Sequence, residues 1–116
     1  MDIRTAVNDL NSKILQGKAL DAFEEYYADN IVMQENQDEP TIGKEANRQR
    51  EQEFFSSIKE FHGAEVKNVA ISNNVSMVEW FWDYTHTDWG RVNAAQVAIQ
   101  TWENGKIINE KFYYSK

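Results

Sequence analysis

The chain has no cysteine, one proline, five glycines and two histidines among its 116 residues. Without cysteine there is no disulfide framework, no thiol nucleophile and no cysteine-ligated zinc. Two histidines are too few for a three-histidine zinc centre. No apolar run approaches the ~18 residues that a membrane-spanning helix needs. The start, Met1-Asp2-Ile3-Arg4, is polar where a secretory signal would be apolar, so the expected location is cytoplasmic. Positive charge is scarce as well: 12 Lys and Arg stand against 19 Asp and Glu, a formal charge of −7. That balance lacks the basic face on which phosphates are neutralised, and argues against nucleic acid and anionic lipid as partners. Neither a Gly-rich phosphate loop nor a nucleophile-elbow pattern occurs.

Aromatic surface, by contrast, is abundant. Four Trp, five Tyr and six Phe make up 13% of the chain, a large apolar area to bury or to offer a ligand. With 41% hydrophobic and 27% charged residues the composition is that of a folded domain. No linker, repeat or low-complexity stretch divides it, so residues 1–116 are expected to form one domain.

The first half has helical spacing. Ile3, Val7, Leu10 and Ile14 form one stripe, closed by Gly17. Leu20, Phe23 and Tyr27 form a second stripe over 18–29. Ile31-Val32-Met33 predicts a brief strand, Asn36 to Gly43 a turn region, and 44–61 a third helix whose apolar face is Phe54, Phe55, Ile58 and Phe61. Its polar beginning, with Glu45, Arg48, Arg50, Glu51 and Glu53, predicts a solvated surface. The second half predicts strands at 64–72, 75–87, 91–103 and 106–115. Asn73-Asn74 and Asn104-Gly105 are two-residue hairpin signals with φ > 0 expected at both positions. The fold class is therefore α+β, three N-terminal helices packed on a curved antiparallel sheet.

The last hairpin turn predicts facing pairs: Ile99 opposite Glu110, Val97 opposite Phe112, and Ala95 opposite Tyr114. Gln96 and Gln100 then fall on the reverse side. For the preceding hairpin two registers stand. A three-residue loop with Gly90 left-handed puts Glu79, Phe81 and Asp83 beside Glu110; an added bulge puts Val78, Trp80, Trp82 and Tyr84 there. Three aromatics fit an interior better than two carboxylates.

The order of these parts resembles the nuclear transport factor 2-like, or SnoaL-like, superfamily of cone-shaped α+β domains. The residues that carry the resemblance are Tyr26-Tyr27-Ala28-Asp29-Asn30-Ile31-Val32-Met33-Gln34-Glu35 and Gly43. Val78-Glu79-Trp80, Trp102-Glu103-Asn104-Gly105-Lys106-Ile107-Ile108 and Glu110-Lys111-Phe112-Tyr113-Tyr114 complete the set. The resemblance implies a pocket between helices and sheet, and a homodimer through the outer sheet face with Ala94, Gln96, Ala98, Gln100 and Tyr113. The base of ketosteroid isomerases matches Glu35, whereas their oxyanion-hole aspartate matches Val97 and their helix-one tyrosine lies near Leu10. Steroid isomerisation is therefore not expected. The epoxide-hydrolase residues of the superfamily match Trp80, Trp82 and Phe112, which removes that chemistry but puts both tryptophans in the pocket.

Two carboxylates carry the chemical expectation. Glu35 at the pocket is the candidate general base, and Glu110, alone on an apolar strand face, its partner acid. Either could instead be structural, Glu35 as a strand-end carboxylate and Glu110 bridged to Arg48, Arg50 or Lys111. Tyr27, Met33, Trp80, Trp82, Val97, Phe112 and Tyr114 are the candidate ligand-binding residues, suited to a small apolar or aromatic molecule. His86 is expected on an exposed loop, His62 has no evident partner, and no metal or cofactor is expected. Three functions remain open: a cofactor-independent acid–base enzyme, a non-catalytic binder using the same pocket, and a dimeric protein-interaction module.

Overall fold

A computed structural model describes residues 2–115. Three helices, α1 (Ile3–Leu15), α2 (Ala19–Tyr26) and α3 (Lys44–Ser56), accompany six strands. The strands are β1 (Tyr27–Glu35), β2 (Thr41–Ile42), β3 (Ile58–Ser72), β4 (Val75–His86), β5 (Gly90–Glu103) and β6 (Lys106–Tyr114). They form one sheet in the order β2-β1-β6-β5-β4-β3. Neighbours are antiparallel except β1 and β6, which run parallel, so the sheet is mixed rather than purely antiparallel. No helix among the described residues is long and apolar enough to cross a membrane.

α1 starts where the Asp2 side chain accepts the Thr5 N–H at 2.8 Å, and buries Val7 and Leu10 of the expected stripe. α2 stops at Tyr26, three residues short of expectation. Tyr27 already has extended backbone and opens β1. The β1–β2 pair stands between α2 and α3, so only two helices precede the sheet. α3 ends at Ser56 instead of 61, and Phe61 lies exposed on β3. α3 buries little of itself; Asn47 anchors it by donating to the Thr41 and Gly43 carbonyls, both at 2.9 Å.

β4 alternates cleanly. Ser76, Val78, Trp80, Tyr84 and His86 turn inward, and Met77, Glu79 and Phe81 outward. The β4–β5 loop is the three-residue one, with His86 opposite Gly90 and Gly90 at φ +75. Its register has no bulge, yet the tryptophans face inward. The irregularity lies one hairpin later. Glu103 does pair with Lys106, and Trp102 with Ile107, but Thr101 pairs with Asn109. β6 thus carries one extra residue, Ile108, and everything beyond it is shifted by one. Gln100, Ala98 and Gln96 therefore stand opposite Glu110, Phe112 and Tyr114, where Ile99, Val97 and Ala95 were expected. A one-residue slip moves a whole strand's side chains to the other face. Val97 consequently lies on the outer face, and Ala94, Gln96, Ala98 and Gln100 leave it. The bulge is braced by the β3–β4 turn. The Trp102 N–H donates to the Asn74 carbonyl at 2.9 Å, and the Asn74 amide to the Trp102 carbonyl at 3.2 Å. Positive φ in that turn falls on Asn73 and not on Asn74.

The core lies between α1, α2 and the inner sheet face. Val7, Leu10, Ile31, Val78 and Ile107 are each at most 1% exposed. This core closes one end of the sheet. Toward the other end α3 stands off, and a cavity of about 1110 Å³ opens.

Candidate functional site

The cavity is walled by α3 on one side and by the inward residues of β4, β5 and β6 on the other. Of the nine residues singled out from sequence, seven line it: Tyr27, Glu35, Trp80, Trp82, Glu110, Phe112 and Tyr114. Met33 lies beneath the wall, 2% exposed, with its Sδ accepting from Arg50 Nη2 at 3.7 Å. Val97 is on the opposite face of the sheet for the register reason given above. Trp80 and Trp82, two residues apart on β4, stack with centroids 4.7 Å apart and planes 21° apart.

Glu110 is 2% exposed, the most enclosed carboxylate of the wall. The Tyr27 hydroxyl donates to its Oε1 at 2.5 Å and the Gln100 amide to its Oε2 at 2.8 Å. Burial pushes its carboxyl above the ordinary range, while Tyr27, Gln100 and the Arg50 charge hold it back. Behind Gln100 the hydrogen bonds have one direction. The Trp102 indole N–H can only donate, here to Ser76 Oγ at 2.9 Å. The Ser76 hydroxyl therefore donates to Gln100 Oε1 at 2.6 Å, which turns the Gln100 NH₂ onto Glu110. Oε2 thus always meets a donor, and a proton on Glu110 belongs on Oε1, facing the Tyr27 hydroxyl.

Glu35 closes β1. It is held by Asn36, whose N–H donates to the Phe112 carbonyl at 2.7 Å and whose Oδ1 accepts from the Tyr114 N–H at 3.0 Å. Glu35 accepts from the Tyr114 hydroxyl at 2.9 Å and from Arg50 Nη1 at 3.2 Å. None of the three bridges expected for Glu110 forms directly: Arg50 reaches Glu35 instead, and Arg48 pairs with Glu24 and Glu45.

The expected solvated surface of α3 is only half that. Glu45 and Arg48 are outside, but Arg50, Glu51 and Glu53 line the cavity with Phe54 and Phe55. Glu51 is the carboxylate that sequence reasoning missed. Its side chain is 18% exposed, and Arg50 Nη2 lies 3.4 Å away. Burial pushes it up to about 7; Arg50 opposes the shift, and the charges of Glu110 and Glu35 add to it. The signal was available, because Arg50 and Glu51 lie one helical turn before Phe54 and Phe55 and so share their face.

His86 also lines the cavity. It is 6% exposed rather than on an open loop, stacked on Trp89 at 3.7 Å, with Nδ1 accepting the Asp88 N–H. His62 does have a partner, the Thr85 hydroxyl at 2.8 Å. Among the described residues no three His, Cys, Asp or Glu side chains cluster in a way that could hold a metal ion.

Comparison with known proteins agrees with this architecture. A SnoaL-like domain profile matches residues 5–114. A candidate SnoaL-like polyketide cyclase of Mesorhizobium loti is 32% identical over 98% of this chain and 100% of its own, with a TM-score of 0.89. A protein of unknown function from Burkholderia xenovorans, with a nuclear transport factor 2-like fold, is 24% identical. That match covers 98% of this chain and 83% of the other, with a TM-score of 0.78. A protein of the same fold from Cytophaga hutchinsonii is 15% identical over 98% and 100% of the two chains, with a TM-score of 0.80. No curated protein is significantly similar in sequence. The chain belongs to the SnoaL-like domain family within the nuclear transport factor 2-like superfamily.

Proposed function

We propose that the protein is a cofactor-independent acid–base enzyme acting on a small, partly apolar molecule, by isomerisation, dehydration or cyclisation. One observation carries this reading: Glu35, Glu51 and Glu110 share a single cavity in three different settings. Groups whose environments separate their proton affinities are what acid–base chemistry uses. Glu35, the least enclosed of them, is the base. Glu110, buried and raised, is the partner acid, or tunes its neighbours through Tyr27. Trp80, Trp82 and Phe112 supply the apolar wall that orients the substrate and excludes water. The Mesorhizobium loti relative bears the name of a cyclase, and aldol cyclisation is one reaction a carboxylate base can run.

The test is hydrogen–deuterium exchange at the α-carbon of a panel of small cyclic and aromatic ketones, with and without an ammonium group, in D₂O. Wild-type protein should accelerate exchange for at least one of them. Glu35→Gln should lower that rate by about 100-fold or more while binding persists, within the range of general-base catalysis. Exchange unchanged in Glu35→Gln overturns the role of Glu35.

A second reading, a non-catalytic binder, is favoured by a specific observation. Both oxygens of Glu110 and both of Glu35 already have partners. Ligand binding without any acceleration of exchange is the outcome that selects it. In either case we propose that the protein works as a homodimer. Met77, Phe81, Val97, Ile99 and Tyr113 lie on the outer face of neighbouring strands, with Glu79 opposite Val97 and Lys111 opposite Ile99, and with Met77 43% and Tyr113 41% exposed.

A further inference from the structure

The charge on the cavity wall is one-sided. Among the described residues Glu35, Glu51, Glu53, Asp88 and Glu110 line it, against two guanidiniums, Arg50 and Arg91. Arg91 is committed to Asp83 through a two-pronged bridge at 3.1 and 2.9 Å. Arg50 is shared between Glu35 and Glu51, at 3.2 and 3.4 Å. Among the described residues Arg50 thus serves three inner carboxylates, and two of those, Glu51 and Glu110, are largely withdrawn from water. Much of the remaining wall is aromatic, and the faces of indole and phenol rings also attract positive charge. A carboxylate on the ligand would meet this excess with repulsion, and a neutral ligand would leave it uncompensated.

We propose that the molecule taken by this cavity is a small organic cation, an amine or quaternary ammonium carried on an apolar body. Its nitrogen lies against the Glu51 and Glu35 carboxylates, and its body on the stacked Trp80 and Trp82. The proposal rests on the reading of the cavity as the functional site and names the chemical class of its ligand. Glu51 shows the same excess in another way. Facing Arg50 of its own helix, Glu35 and Tyr27 of β1 and Glu110 of β6, it keeps its proton up to about pH 7, chiefly because it is buried; Arg50 opposes the shift, and the charges of Glu110 and Glu35 add to it. An arriving ammonium takes the place of that proton.

The experiment is calorimetric titration of the full chain at pH 7 with three probes of one shape: choline, 3,3-dimethylbutan-1-ol and 3,3-dimethylbutanoate. Choline should bind at least ~10-fold more tightly than the alcohol, a difference cation–π contact and nearby carboxylates readily supply. The carboxylate should bind most weakly. Repeating the choline titration in buffers of different ionisation enthalpy should show a net release of protons on cation binding, since Glu51 is pushed up to about 7 and a neighbouring cation lowers it. In Glu51→Gln the preference for choline should fall several-fold and the proton release vanish. Unchanged binding of the alcohol there reports an intact fold. Equal affinity for choline and the alcohol, or tighter binding of the carboxylate, overturns the cationic class and leaves the cavity reading standing. Failure of all three probes to bind overturns both.

Discussion

Glu51 shows how position, and not residue type, decides chemistry. Glu45 is six residues earlier on the same helix, exposed and bridged to Arg48. Glu51 is turned to the cavity and pushed up to about 7, chiefly by burial. The sign of the consequence follows from linkage. A carboxylate whose folded-state affinity for protons is raised stabilises the fold below its unfolded pKa, and loses that contribution as pH rises through the folded value. Wild-type protein should therefore lose stability relative to Glu51→Gln between about pH 4.5 and 7, leaving the variant more stable above pH 7 by up to about 3 kcal/mol. Denaturant unfolding of both proteins across pH 4–8 measures this; parallel curves would place Glu51 in water. The same burial that makes Glu51 costly to ionise makes it useful as a proton carrier, so stability and function oppose one another at this residue.

At the scale of elements, the β6 bulge is the decisive feature. One extra residue, Ile108, exchanges the faces of β5 and brings Gln100 under Glu110. It also completes the directed chain from Trp102 through Ser76 and Gln100 to Glu110. Ser76 is fully buried in the middle of that chain. Its replacement by Ala should strand the Trp102 indole N–H and Gln100 Oε1 together, at roughly 2–4 kcal/mol of unfolding free energy. The denaturant midpoint should fall at unchanged slope, and Glu110 should lose its fixed donor. A change below about 0.5 kcal/mol would mean that the chain is not a connected unit. α3 makes the complementary contribution. Being poor in apolar residues, it docks by Asn47 and its terminal phenylalanines and leaves room beneath its middle, and that room is the cavity.

At the scale of the molecule, the sheet has two unlike faces. The inner one is shared between core and cavity, and the outer one carries Val97, which sequence reasoning assigned to the pocket, beside Tyr113, which it placed outside. A charge in its centre tests the proposed dimer without touching the site. Val97→Arg should sediment as a monomer of about half the wild-type mass at micromolar concentration, with its far-UV spectrum retained. Wild-type protein that is itself monomeric there would remove the dimer from the functional reading.

The sequence by itself determined most of the element types and their order, the hairpin turns and the superfamily, because these follow from local periodicity, turn chemistry and motif order; it missed β2 and ran α3 into the start of β3. It also singled out Glu110, a carboxylate on an otherwise apolar strand face, and Glu35, through its match to the base position of the resembled family. Trp80 and Trp82 line the cavity without the bulge invoked for them at the Gly90 loop, since the shift sits at Ile108. Tertiary structure alone decided the face of β5, hence the exit of Val97 and the entry of Gln96 and Gln100, because a bulge depends on how a strand is braced by a distant turn, here Asn74. It alone decided that Arg50 and Glu51 look into a cavity instead of into solvent. Whether a polar helical face meets water or a wall is set by what packs opposite it, and the wall opposite Arg50 and Glu51 is assembled in three dimensions from β1, earlier in the chain, and β6, at its far end.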